Sequence, residues 1–272
     1  MSDVLQVERR GAFWLAKLNR PDKRNALSDE LVVELGRLCE RVTADLEARA
    51  LVLYGAGGNF CSGADLAGFV QLMQGEPGHA EDPIARHNRQ FGATLEGLAA
   101  LPVPSIAVVT GVAMGGGCGL ASACDRVIAT EDALFAMPEV TLGVAPAQIA
   151  PFIIRRIGAL RARWLMLSAA RLPAAAAQRA GLADLVVSAP ELRATVDADL
   201  RLLGLAEPAA LRATKRIINV AVDSPLPAAL DSASLEFAGL LRHGAVAEGI
   251  AATRQKRTPA WQAAVPDLPD FT

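Results

Sequence analysis

The sequence predicts an α/β fold, and three observations predict it. Short apolar, β-branched runs recur at ALVLYG from Ala50, SIAVVTG from Ser105 to Gly111 and RVIAT from Arg126. Runs of this kind read as strands buried on both faces. Helical stretches separate them, and beyond about Ala189 the strand signals stop, so a layered α/β core is followed by a helical region.

The elements follow in order. VLQVERR and AFWLAKLNR flank Gly11 and read as a hairpin. A loop with Pro21, Asp22, Lys23 and Arg24 follows. Ser28 then stands before Asp29 and Glu30, a capping oxygen with two acidic groups, so a helix begins there and runs to Leu46. In the Ala-rich LPAAAAQRAGLADLV, the spacing of Leu172, Ala176, Ala180 and Leu185 suits a packed helix running into a strand. The last part reads as helices over Pro190 to Leu203, Glu207 to Val222, Leu226 to Arg242 and Ala245 to Gln255. The expected division is a core over 1–189 and a helical region over 190–272. That region is small and apolar for independent folding, which predicts packing on the core or on other subunits.

Composition narrows the function. With 272 residues, 52% hydrophobic, 21% charged and a formal net charge of -2, the chain can bury a large core, and neither disorder nor a nucleic-acid partner is expected. Cys39, Cys61, Cys118 and Cys124 have no CxxC spacing, and His79, His87 and His243 do not cluster with them, so no metal site is expected. The start MSDVLQVERR has no apolar stretch of signal length, and no run of about 18 apolar residues follows. A cytoplasmic protein with no membrane partner and reduced thiols is expected.

GVAMGGGCGLASACD, from Gly111 to Asp125, carries the most chemical information. Gly115, Gly116 and Gly117 lie between a buried strand and a helix, where the backbone can come close to a ligand and the helix N-terminus offers N–H donors. A tight turn or a phosphate cradle would also fit, although the nucleotide-binding lysine and acidic-residue patterns are missing. YGAGGNFCSGADLAGF is a second loop of the same kind. Two such loops can each give one N–H to a single oxygen, as stabilising an enolate or tetrahedral oxyanion requires.

NRPDKRNAL, FCSGADL, PSIAVVTGVAMGGGCGLASACD, FAMPEVTLGVAP and EGIAATRQKRTPAW resemble the crotonase (enoyl-CoA hydratase/isomerase) family in order and spacing over essentially the whole chain. The resemblance implies a spiral of ββα units with a C-terminal helical trimerisation region, assembled as a homotrimer or as a hexamer of two trimers. It implies an acyl-CoA thioester substrate with no further cofactor. The N–H groups of Ala64 and Gly116 would form the oxyanion hole. Lys23, Arg24, Ala26 and Leu27 would border coenzyme A, with Asp65 and Leu66 on its adenine and pantetheine side and Lys256, beside Arg257, reaching it from a neighbouring subunit. Lys23 and Arg24 also fit a solvated loop, Asp65 also fits a helix cap, and Thr253 replaces the family's aromatic upstream of the basic pair.

Glu139, in FAMPEVTLG, falls on a family catalytic glutamate, and in an apolar surrounding its pKa should rise towards the range of an acid/base at neutral pH. The second glutamate of straight-chain hydratases is missing, because Gly119 stands there. Three readings stay open: hydration with one glutamate, delta-3,delta-2-enoyl-CoA isomerisation, and a non-catalytic CoA-ester binder. TLGVAPAQIAPFIIRRIG is similar to the PAxIxP turn of bacterial 3-methylglutaconyl-CoA and isohexenylglutaconyl-CoA hydratases, the latter acting in acyclic terpene breakdown. That similarity favours a branched glutaconyl-CoA, with Gln148 as a candidate to orient water. His79, Arg86, His87 and Arg89 are candidates to meet the distal carboxylate of such a substrate.

Overall fold

A computed structural model describes residues 3–65 and 82–272 of the chain. Strands β1 (Leu5–Arg10) and β2 (Phe13–Leu18) form the expected antiparallel hairpin. Its turn needs Gly11, whose φ is +59°. From β2 onward the main sheet is parallel, through β3 (Ala50–Gly55), β4 (Ser105–Val109), β6 (Arg126–Thr130) and β9 (Leu185–Val187), in the order β1-β2-β3-β4-β6-β9. Every residue of β3 and β4 is buried, which is why these runs are continuously apolar rather than alternating. A smaller sheet joins β5 (Val112–Met114), β7 (Leu134–Ala136) and β8 (Leu172–Pro173).

Two apolar layers sandwich the main sheet. On one side pack α1 (Asp29–Ala44), α2 (Pro83–Ala99) and α3 (Gly116–Ala123), through Leu31, Leu35, Leu95, Leu98 and Leu120. Ser28 caps α1 by accepting from the Leu31 N–H at 3.3 Å. On the other side lie Leu192, Val196 and Leu200 of α7 (Ala189–Gly204), with Leu268 and Phe271 from the end of the chain. The Phe271 ring meets Tyr54 edge-on at 5.1 Å. α7 therefore covers the sheet, so this part of the helical region packs on the core.

α4 (Ala150–Ile157), α5 (Ala159–Ser168) and α6 (Ala174–Ala180) extend the first layer through Ile153, Ala162, Leu165, Ala174 and Ala177. The Ala-rich segment is indeed a helix running into a strand, but in another phase. Ala174 and Ala177 are its buried residues, not Ala176 and Ala180, because the helix starts directly after Pro173 and turns that stripe towards Leu182 and Ala183, which are also buried.

The last helices are α8 (Pro208–Asp223), α9 (Leu226–Arg242) and α10 (Ala245–Gln255), within a residue or so of their expected limits. Two cations fasten α8 to the core. The Lys215 Nζ donates to Asp125 Oδ2 at 2.5 Å and to the Val103 carbonyl at 2.9 Å, and Arg212 donates to the Asp45 carbonyl. α9 buries only Ala229 among its residues and leaves Leu226, Leu235 and Phe237 more than 60% exposed.

Candidate active site

Both glycine loops are held edge to edge by backbone hydrogen bonds. Cys61 bridges Ala113, with its N–H donating to the Val112 carbonyl at 2.9 Å and its carbonyl accepting from Met114 at 3.0 Å. One step on, Leu27 bridges Ala64 by donating to Gly63 at 2.8 Å and accepting from Asp65 at 3.0 Å. In a parallel bridge of this form the bonds are made by the residues flanking Ala64, so the Ala64 N–H points to the opposite side. Gly116 is the first residue of α3, and its N–H is one of the donors that a helix start leaves free.

The two loops meet at Gly63. A Cβ there would lie 2.8 Å from the Met114 carbonyl and 3.5 Å from the Gly116 nitrogen, and the φ of +94° also favours glycine. The glycine run itself is divided: Gly115, with φ +50°, precedes the helix, while Gly116 and Gly117 form its first turn. The Gly115 N–H is taken by the Ala136 carbonyl at 2.8 Å. Leu27 and Phe91 flank Gly116 on the side-chain side, at 2.6 and 3.2 Å from where its Cβ would be. Neither residue was singled out by the sequence for this contact.

Glu139 opens the 3-10 turn Glu139–Leu142 and reaches the same helix start. Its Oε1 lies 2.9 Å from the position of a Cβ on Gly115. Its Oε2 is buried and has no hydrogen-bond partner among the described residues. Burial pushes the Glu139 pKa up from the ordinary value, opposed by a backbone hydrogen bond, because the charged form loses hydration.

One turn along α3, where the Gly119 N–H donates to Gly115 at 3.0 Å, the expected second carboxylate is replaced by hydrocarbon. A Cβ on Gly119 would come within 2.3 Å of Ile149 Cγ2 and 2.9 Å of Ile149 Cβ. Ile149 is 3% exposed. The preceding residue, Gln148, turns the other way and lies over α2. Its Oε1 occupies the place of a Cβ on Gly92, at 1.9 Å, and its Nε2 donates to Asn88 Oδ1 at 2.8 Å. The structure thus seats Gln148 against α2. Asn88 carries no signal of this contact in the sequence, and Ile149 is marked there only by the unusual PAQIAP turn.

In the loop expected to border coenzyme A, Lys23 and Arg24 are exposed, and Arg24 and Asn25 adopt left-handed φ of 48° and 56°. The fully buried Asn25 fixes this shape, another residue that the sequence reading passed over. Its Oδ1 accepts from Arg20 N at 2.8 Å and its Nδ2 donates to Ala56 and Asn59 carbonyls at 2.9 and 2.6 Å. Arg20 then donates to the Ala26 carbonyl at 2.5 Å and to Asp65 Oδ2 at 2.9 Å. Asp65 therefore ties the two loops together through Arg20.

The remaining candidates are more scattered, although Arg89 Nη1 comes within 3.3 Å of the Cβ position on Gly92 that Gln148 occupies. Lys256 is exposed at the end of α10, with φ 52°, and Arg257 is bound by Glu248 at 2.7 Å. Arg86 is exposed, Arg89 pairs with Glu96 at 2.7 Å two turns along the same helix, and His87 Nε2 is 3.6 Å from Asp29 Oδ1. Leu66 and His79 fall outside the described residues. Among the described residues no His, Cys, Asp and Glu group could hold a metal ion, and no helix is long and apolar enough to cross a membrane. Burial pushes the Cys61, Cys118 and Cys124 thiols up to about 12, so none supplies a thiolate nucleophile near neutral pH.

Comparison with known proteins agrees with this architecture. Residues 8–264 match the family described as enoyl-CoA hydratase/isomerase. A probable enoyl-CoA hydratase of Mycobacterium bovis is 33% identical over 263 residues, covering 94% of this chain and 97% of the relative. The 2,3-dehydroadipyl-CoA hydratase of Escherichia coli is 34% identical, covering 95% and 98%. Among solved structures, an enoyl-CoA hydratase/isomerase from Marinobacter aquaeolei superposes with a TM-score of 0.92 at 37% identity, covering 96% of this chain and all of that one. Pseudomonas aeruginosa AtuE does so with a TM-score of 0.90 at 39% identity, covering 95% and 99%. With both glycine loops in place, Glu139 beside them and a family match over nearly its whole length, the chain belongs to the enoyl-CoA hydratase/isomerase family.

Proposed function

We propose that this protein hydrates the 2,3 double bond of a branched enoyl-CoA with a distal carboxylate, a 3-methylglutaconyl- or isohexenylglutaconyl-CoA. One observation carries the reading: among the described residues the Glu139 carboxylate meets the start of α3, and the buried Ile149 fills the place of a second. The similarity of the PAQIAP turn to the glutaconyl-CoA hydratases supports the acyl group. So does a relative named for the dehydroadipyl thioester, a dicarboxylic substrate.

In this reading the thioester oxygen accepts from the N–H groups of Ala64 and Gly116, which strengthen their hold as negative charge develops. Water adds its oxygen to the β-carbon and gives a proton to Glu139, while the π pair moves into an enolate whose charge rests on the thioester oxygen. Glu139 then returns the proton to the α-carbon as the enolate collapses. The unpartnered Oε2 is free for water. Gln148 can orient that water only through what Asn88 and Gly92 leave of its amide. Lys23, Arg24, Leu27 and the backbone of Ala26 border the coenzyme A arm, with Asp65 beside it, and Lys256 reaches it from a neighbouring subunit. The exposed Leu226, Leu235 and Phe237 support assembly as a homotrimer or hexamer, and a stable monomer in sedimentation would refute it.

The test is turnover of the branched substrate in water enriched in heavy oxygen. Uptake into a 3-hydroxyacyl product is expected. Double-bond migration without uptake would instead establish isomerisation, which a single glutamate also allows. Absence of turnover on a panel of enoyl-CoA esters would leave a binding protein.

A further inference from the structure

Consecutive residues of one loop reach into the side-chain gaps of two different helices. Gln148 lies over Gly92 of α2 and Ile149 over Gly119 of α3, and neither helix could accept its guest if it carried a Cβ there without something moving. Gln148 is further tied to α2 by its bond to Asn88, which fixes where the loop sits and so where Ile149 points. Leu95 of α2 backs the same gap, 3.6 Å from the Cβ position on Gly119.

The location of this apolar plug gives it a chemical meaning. Glu139 meets the N-cap of α3 at Gly115 and Ile149 meets the helix at Gly119, four residues and about 6 Å apart along its axis. Ile149 thus stands one helical turn beyond the residue that the carboxylate meets, in the place that the second glutamate of straight-chain hydratases would take. A methyl or longer branch at the β-carbon then finds hydrocarbon where a carboxylate and its water would otherwise lie.

We infer that Ile149 is the specificity-determining residue for substitution at the β-carbon, with Gln148 as a positioning residue that holds it there through Asn88 and Gly92. This rests on the branched-substrate reading above and names the side chain that enforces it. A methyl branch adds one apolar contact with Ile149 that an unbranched substrate lacks, and one methyl group of apolar contact is worth on the order of tenfold in kcat/KM.

The experiment compares 3-methylglutaconyl-CoA with glutaconyl-CoA, two thioesters that differ only in the branch and both keep the distal carboxylate. The wild-type protein should favour the branched ester by roughly tenfold. Ile149→Ala should bring the ratio close to one, and Gln148→Ala should narrow it by a smaller factor through a higher KM for the branched ester. Gly119→Glu should fail on both substrates, while Gly119→Glu combined with Ile149→Ala should recover hydration of the unbranched one. Should Ile149→Ala not fold, judged by circular dichroism, Ile149→Val keeps the branch at Cβ and should narrow the ratio partway. An unchanged ratio in a folded Ile149 variant overturns the inference. If the wild type incorporates no heavy oxygen, the hydratase reading fails by itself, and the same ratio is read from double-bond migration. If it turns over neither ester, the ratio is read from the binding of 3-methylglutaryl-CoA and glutaryl-CoA by calorimetry, with the same criterion.

Discussion

The two sides of the candidate site are built from different material. In the proposed mechanism the thioester side works through the backbone N–H groups of Ala64 and Gly116, set by ladder bonds to Leu27, Val112 and Met114 and by the absence of a Cβ at Gly63. The proposed proton-transfer side works through side chains, Glu139, Ile149 and Gln148, delivered by one segment onto two helices. A backbone site is altered by changes that move the chain and tolerates exchange of most side chains. A side-chain site can be rewritten by single substitutions without disturbing the fold, which makes it the place where related enzymes diverge in substrate.

Substitutions on the two sides should separate accordingly. The largest effect is expected from Glu139→Gln, with kcat reduced about a thousandfold or more and CoA-ester affinity retained, measured by steady-state kinetics and calorimetry. Gly63→Ala should cost on the order of a hundredfold or more in kcat, because its Cβ would push against the Met114 carbonyl and spread the loops. Unlike Glu139→Gln, it should leave the pH profile unmoved. That profile should have an acidic limb above the ordinary glutamate range, because burial raises the pKa of Glu139 and the base must be ionised; Glu139→Gln should abolish the limb.

The same burial predicts a sign for stability. A carboxyl whose folded pKa is raised favours folding while protonated, and that contribution is lost as pH rises from the unfolded value through the folded one. Glu139→Gln should therefore raise the Tm at pH 8 relative to the wild type, and the gain should vanish near pH 4, as scanning calorimetry can show. The smallest effects distinguish the two helix gaps. Gly119→Ala drives a methyl into Ile149, a buried β-branched residue, and should cost about 2 kcal/mol in chemical denaturation. Gly92→Ala meets the ends of two flexible side chains, Gln148 and Arg89, which can swing aside, so the helix-propensity gain of about 1 kcal/mol should offset most of its cost.

The same division explains what the sequence revealed. The strands β3, β4 and β6 and the last helices were legible because each is a local pattern of apolar residues. The thioester side was legible because glycine at a strand-to-helix junction has few other uses. The plug was not, since it joins Asn88, Gly92, Gly119 and Ile149 from separate elements, and an isoleucine in an apolar stretch looks like any core residue. Gln148 was noticed, yet an amide's partner is set by tertiary packing, and the partner proved to be Asn88. Asn25 was hidden for another reason: a buried amide that ties three backbone groups is indistinguishable, in sequence, from an asparagine in a surface turn.

The salt bridge between Lys215 and Asp125 reaches further than the fastening of one helix. Asp125 directly follows the end of α3 and is also bound by the Ser105 N–H and hydroxyl at 2.7 and 3.0 Å, while Gly115 at the other end is anchored to β7 through Ala136. The helix that presents Gly116 is thus clamped like a beam at both ends, one end against the sheet and the other against α8. Drift in the C-terminal helices is consequently constrained by chemistry some distance away: a mutation that shifts α8 also tilts the beam, and the thioester is where the tilt would be felt.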